Sequence, residues 1–132
     1  MRPTELIEKR ITRDVIGAFF DVYNTLGYGF LEFVYSLALK RELLKRGRTV
    51  GREVHVPVIY QGEPLTTQRI DMVVDDKVVV EIKAGAIVPV TARLQTLNYL
   101  RATDLEVGLL LHFGPEAKFY RVVHSRTHGS RI

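Results

Sequence analysis

The chain of 132 residues has no cysteine, so disulfides, thiol catalysis and cysteine zinc sites are all excluded. A reducing, cytoplasmic compartment is the expected setting. No apolar run approaches the roughly 20 residues that cross a bilayer. The opening segment MRPTELIEKRITRD is charged throughout and lacks the apolar core of a signal peptide, so no membrane association is expected. Internal repeats and low-complexity stretches are absent. A glycine-rich phosphate loop of the G-x-x-x-x-G-K-[ST] kind is missing too, which leaves ATP use without support. His124 and His128 are four apart but fall in a basic tail, and His55 and His112 stand alone on strands. A histidine metal site is therefore not expected. After Glu116 there are no acids, only Lys118, Arg121, Arg126 and Arg131 among the charged residues.

The composition present is 46% hydrophobic and 26% charged, the balance of one globular domain. Net charge is +4, shared equally between the two halves. Six bases and one acid lie between Lys40 and Arg52. Such a cluster attracts polyanions by counterion release, which makes Arg46 and Arg48 candidate nucleic-acid contacts. A solvated helix end explains the same run without any ligand.

Apolar spacing predicts a helix over 11–26 stopped by Gly27 and Gly29. A second helix is expected over 31–46, with Val34, Leu37, Ala38 and Leu44 facing inward. Alternation then predicts a half-buried strand over 50–60, with Val50, Val54, Val56, Val58 and Tyr60 inward. Pro57 places that strand at an edge or at a bulge. A turn at 61–64, a hairpin over 69–84, a helix near 91–103 and strands at 106–113 and 118–123 complete the series. The expected fold is α/β: a single domain over 1–124, a central mixed sheet flanked by helices, and a basic disordered tail over 125–132. Strand, helix and strand in succession imply a crossover between parallel strands.

The hairpin RIDMVVDDKVVVEIKA carries three groups that are costly to bury: Asp71, Glu81 and Lys83. A two-residue loop at Asp75–Asp76 would mix carboxylates and aliphatics on both faces. A three-residue loop at 75–77 separates them. Ile70, Met72 and Val74 then meet Ile82, Val80 and Val78. On the other face Arg69 meets Lys83, Asp71 meets Glu81 and Val73 meets Val79. Facing carboxylates repel, and a hard divalent cation such as Mg²⁺ or Mn²⁺ between them reverses the sign. A solvated face neutralised by Arg69 and Lys83 accounts for the same pattern.

Two more stretches matter: GFLEFVY, which spells Gly29-x-x-Glu32-x-x-Tyr35, and LQTLNYL, which holds Gln95-x-x-x-Tyr99. With Asp71 and Glu81-x-Lys83, in this order, the sequence resembles the GxxExxY family of the PD-(D/E)xK nuclease superfamily, on its RecB-like exonuclease branch. The resemblance covers roughly residues 12–124 and implies a restriction-endonuclease-like core. It implies that Asp71, Glu81 and Lys83 are catalytic, and that Asp71 and Glu81 bind Mg²⁺ or Mn²⁺ with Glu32 nearby. It also implies that Gln95 and Tyr99 help bind nucleic acid beside the site. Tyr35 is matched only through the motif and is otherwise a core tyrosine. Relatives often place a histidine before the glutamine, and 85–91 has none. The proline that often precedes the first acid is replaced by Ile70.

The expected function is metal-dependent hydrolysis of phosphodiester bonds in DNA, from ends or within the strand. The alternative is a nucleic-acid-binding module with this fold that is inactive alone or works only in a complex. A homo-oligomer or a protein partner is left open.

Overall fold

A computed structural model describes residues 3, 4 and 7–126. Its elements, in chain order, are α1 (Lys9–Leu26), α2 (Glu32–Lys45), β1 (Val50–Tyr60), β2 (Glu63–Val74), β3 (Val78–Ala84), α3 (Ala92–Ala102), β4 (Val107–Phe113) and β5 (Ala117–Val123). The five strands form one sheet in sequence order. Only β3 and β4 run parallel; every other neighbouring pair is antiparallel. The parallel pair is joined through α3, as strand–helix–strand order requires. Among the described residues no helix is long and apolar enough to cross a membrane.

Apolar spacing decides which faces are covered. In α1, Ile11, Val15, Ala18, Phe19 and Val22 are buried at intervals of three and four. With Tyr35, Leu39 and Leu43 of α2 they cover one face of the sheet, over Met72, Val74, Val78, Val80 and Ile82. The inward stripe of α2 is therefore not the one expected. Leu37 is 49% and Leu44 51% exposed, while Tyr35, Leu39 and Leu43 are buried. Alternative apolar stripes on this helix differ by one residue, and stacking on Phe113 selects the one carrying Tyr35. On the other face, α3 brings Tyr99 and Leu100 against Ile70, Val73 and Val79. Gly108 makes the approach of α3 to β4 possible, since a Cβ there would lie 2.7 Å from Thr96 Cγ2. All seven residues of β4 are buried, as a strand covered on both faces must be.

Strand β1 is an edge strand, which suits Pro57, and its pairing shifts at Val58/Ile59. It alternates as expected from Val50 to Val58, but Tyr60 is 60% exposed. Beyond Pro57 both strands of the β1–β2 arm run past the core, so alternation there no longer reports burial.

The β2–β3 hairpin has the expected three-residue connection at 75–77. Met72, Val73 and Val74 pair with Val80, Val79 and Val78. Pairing stops at Met72, and Ile70 does not meet Ile82, nor Arg69 Lys83. Ile70 lies instead in the core beneath α3, with Val54 and Val56 of β1 packed against it. Both β1 and β2 change face here. Val50 packs on the α1 side and Val54 on the α3 side, and between them Glu53 adopts a left-handed φ of 53°.

Much of the basic charge is structural. Arg48 bridges Asp14 of α1 and Asp75 of the hairpin loop, and Arg46 binds Asp14 and Asp21. Arg121 donates to Thr12 Oγ1 and to the carbonyls of Thr4 and Ile7. Of the expected tail, Ser125 and Arg126 are described. The Arg126 amide donates to Glu106, and its guanidinium caps the carbonyls of Leu100 and Thr103 at the end of α3. His128 and Arg131 lie outside the described residues.

Candidate functional site

Where β2 leaves β3, two carboxylates take the place of the backbone ladder. Glu81 Oε1 accepts the Asp71 N–H at 3.1 Å, and Asp71 Oδ2 accepts the Ile82 N–H at 2.9 Å. These bonds satisfy donors that the parting strands would otherwise leave unpaired. They also fix both acids in one gap, with the backbone engaging one oxygen of each. Glu81 is only 2% exposed. Burial first, and the neighbouring Asp71 charge second, push its carboxyl up to about 8, with Lys83 pulling the other way. At neutral pH the Glu81 carboxyl therefore keeps its proton.

Asp71 opens into a cleft of about 240 Å³. Glu32, Phe33 and Ser36 line it from α2, Arg52 and Glu53 from β1, and Arg69 and Ile82 from the hairpin strands. Glu32 is the first residue of α2, and its Oε2 accepts the Ala84 N–H at 3.2 Å. Arg52 Nε donates to Ser36 Oγ at 2.9 Å, and Arg69 pairs with Glu53 at 3.2 Å. Lys83 is half-buried, two residues beyond Glu81 on the same strand.

Helix α3 completes the surroundings. Tyr99 is buried and its hydroxyl donates to the Arg69 carbonyl at 3.1 Å. Burial, then the charges of Glu81 and Asp71, raise the Tyr99 hydroxyl to about 12, while a hydrogen bond from Gln95 opposes this. Gln95, one helical turn away, is exposed. His112 is hydrogen-bonded structure: its Nε2 meets the Gly85 carbonyl at 2.8 Å.

The structure thus brings together Asp71, Glu81, Tyr99 and Gln95, with Glu32 across the Asp71 cleft. It does not bring Arg46 and Arg48 there. Arg48 is ion-paired to Asp75 in the 75–77 loop, at the opposite end of β3 from Ala84, and Arg46 is ion-paired to Asp14 and Asp21 of α1. The bases that do line the cleft are Arg52 and Arg69. Arg52 carried a signal in the sequence, a charge at an inward position of an otherwise aliphatic alternation.

The family model of the PD-(D/E)XK nuclease superfamily matches residues 9–122, from the first turn of α1 into β5. The chain belongs to the PD-(D/E)XK nuclease superfamily. A direct search of curated protein sequences gives no match. The solved crystal structure of SSO0001 superposes with a TM-score of 0.55 at 19% identity, over 89% of this chain and 60% of that one. This likeness supports the α/β fold, and the chain spans three-fifths of that protein's length. Within this PD-(D/E)XK domain, the donors around Asp71 and Glu81 are hard oxygens that suit a divalent cation. A raised carboxyl beside a second carboxylate is the situation that such a cation relieves. Among the described residues no group of three or more His, Cys, Asp or Glu side chains is gathered for a metal, so Glu32 is not drawn into one cluster with the pair.

Proposed function

We propose that this protein is a Mg²⁺- or Mn²⁺-dependent nuclease that hydrolyses phosphodiester bonds in DNA, and that it falls in the GxxExxY family on the RecB-like branch. The Asp71–Glu81 pair carries this reading. Two carboxylates have displaced a β-ladder at the mouth of a cleft, a costly arrangement that sheet formation does not need.

Asp71 and Glu81 would hold the ion, with Glu32 as an outer ligand. A bound divalent ion supplies Lewis-acid polarisation and lowers the pKa of a water nucleophile. Lys83 would stabilise charge developing on the phosphate. Tyr99 holds the Arg69 carbonyl and so keeps β2 in place beside α3, while Gln95, exposed and hydrogen-bonded to Tyr99, would contact the strand. Arg52 and Arg69 would neutralise phosphates entering the cleft.

The second reading, a binding module active only in a complex, is favoured by one observation. Glu32 is engaged with Ala84 and does not join the acid pair. Incubation with labelled linear, circular and single-stranded DNA, with Mg²⁺, Mn²⁺ or EDTA, separates the two. Metal-dependent products that disappear in Asp71→Asn support the nuclease. Stoichiometric Mn²⁺ binding by calorimetry with no cleavage of any substrate supports the module.

A further inference from the structure

The cleft that holds Asp71 continues past the start of α2. Glu32 and Phe33 line it and also line a second, wider cavity of about 560 Å³. The second cavity has different chemistry: Tyr28, Phe30 and Leu31 face it from the α1–α2 loop, and Ala84 and Gly85 close it at the end of β3. Tyr28 is 48%, Phe30 45% and Phe33 57% exposed. Three accessible rings therefore stand beside a cleft of acids and arginines.

These rings are held out, not left over. The Tyr35 hydroxyl donates to the Gly27 carbonyl at 2.5 Å and accepts the Phe30 N–H at 3.2 Å. The Phe30 ring stands edge-on to Tyr35, with centroids 6.0 Å apart. Gly29 sits at φ 116°, a conformation that a residue with a Cβ rarely adopts. The loop is thus fixed by the glycine and tyrosine that flank Glu32, and it presents its aromatics on a rigid base.

We propose that the second cavity stacks unpaired nucleobases, so that the site works on single-stranded nucleic acid or on frayed ends. A strand crossing Glu32 would set a phosphate in the Asp71 cleft and the adjoining base among Tyr28, Phe30 and Phe33. Base faces are sealed inside a duplex and are free only in a single strand. Aromatic platforms next to a cationic groove are the sequence-tolerant way to hold them. A protein partner or a second copy fits less well, since covering the patch would take the Glu32 carboxylate out of water with one backbone amide, that of Ala84, against it. The inference rests on the nuclease reading, and its test separates the two.

The chain has no tryptophan, so Tyr28→Trp introduces a single indole at the cavity. The probes are oligothymidylate, oligouridylate, a duplex, and an abasic strand with the same phosphates. Quenching of the indole by the base-bearing single strands, with little by the duplex or the abasic strand, is the expected result. The two homopolymers show whether DNA or RNA is preferred. Phe33→Ala, whose melting is checked first, should weaken single-strand binding by roughly 10-fold and leave duplex binding within about twofold. Equal binding of abasic and base-bearing strands overturns the inference. So does a concentration-dependent dimer abolished by Phe33→Ala without any base-dependent quenching. If cleavage persists in either case, the nuclease reading stands and only the base cavity falls; if no probe is bound or cut, both fall.

Discussion

Asp71 and Glu81 each accept a hydrogen bond from the other's strand: Glu81 Oε1 from the Asp71 amide and Asp71 Oδ2 from the Ile82 amide. The exchange occurs one residue beyond the last ladder pair, Met72–Val80. Side chains thus do the work of backbone there, and the strands can part without leaving those two donors unsatisfied. The acids are held in place before any ligand arrives, which is the preorganisation a reactive site needs.

The pH dependence of stability follows from Glu81. Its carboxyl is raised from 4.5 to about 8 in the folded chain. The folded state therefore keeps a proton that the unfolded state releases, and stability is full below the unfolded value and lost as pH rises through about 8. Metal-free protein should lose as much as ~5 kcal/mol over that window. Glu81→Gln should flatten the slope and melt higher than wild type on the alkaline side. Equal slopes in urea melts of the two proteins would refute this role for Glu81.

Metal should raise the melting temperature by binding the folded state preferentially. Asp71→Asn and Glu81→Gln should remove both the shift and cleavage. Glu32→Gln should reduce the shift less completely, and Lys83→Ala should keep it yet abolish cleavage. Undiminished shifts in both hairpin variants would dispose of the site.

The arginines should divide into two groups. Arg48→Ala breaks charge-assisted bonds to Asp14 and Asp75 and should cost about 1–3 kcal/mol in denaturant melts. Arg69→Ala, at an exposed pair, should leave stability nearly unchanged but lower nucleic-acid affinity and reduce the salt slope by about 1. The comparison is made by titration at several salt concentrations. A salt slope unaffected by Arg69→Ala would remove that residue from the phosphate path.

Tyr35→Phe keeps the stacking on Phe113, at a centroid distance of 4.0 Å, and loses only the hydroxyl bonds to Gly27 and Phe30. A cost of about 1–2 kcal/mol is expected, with faster hydrogen exchange in the 27–31 loop. Exchange in that loop identical to wild type would mean that the hydroxyl does not hold it.

Much of the fold was legible because its signals are local. The switch from helical to alternating period marked the passage from α2 to β1, and the three hairpin pairs next to the loop followed from keeping carboxylates and aliphatics on separate faces; residues 63–68 of β2 were not read as strand, and the register beyond Met72 was not as expected. Signals of that kind fail where the deciding contact is distant. Nothing near Leu37 or Leu44 reports that Tyr35 stacks on Phe113, nor does the sequence around Ile70 report the left-handed residue at Glu53. Arg46 and Arg48 looked like a phosphate-binding cluster because Asp14 and Asp75 lie far from them along the chain.

The sequence by itself determined the element order, the three-residue hairpin loop, and the acid–acid–lysine spacing, because strand alternation and turn chemistry act over a few residues. Only the tertiary structure decided that the ladder ends at Met72, that Glu81 is buried enough to hold a proton near neutrality, and that Glu32 and Phe33 join two cavities of opposite character. Desolvation and cavity shape arise from what every other element packs against. The acids were visible along the chain; their environment exists only in the fold.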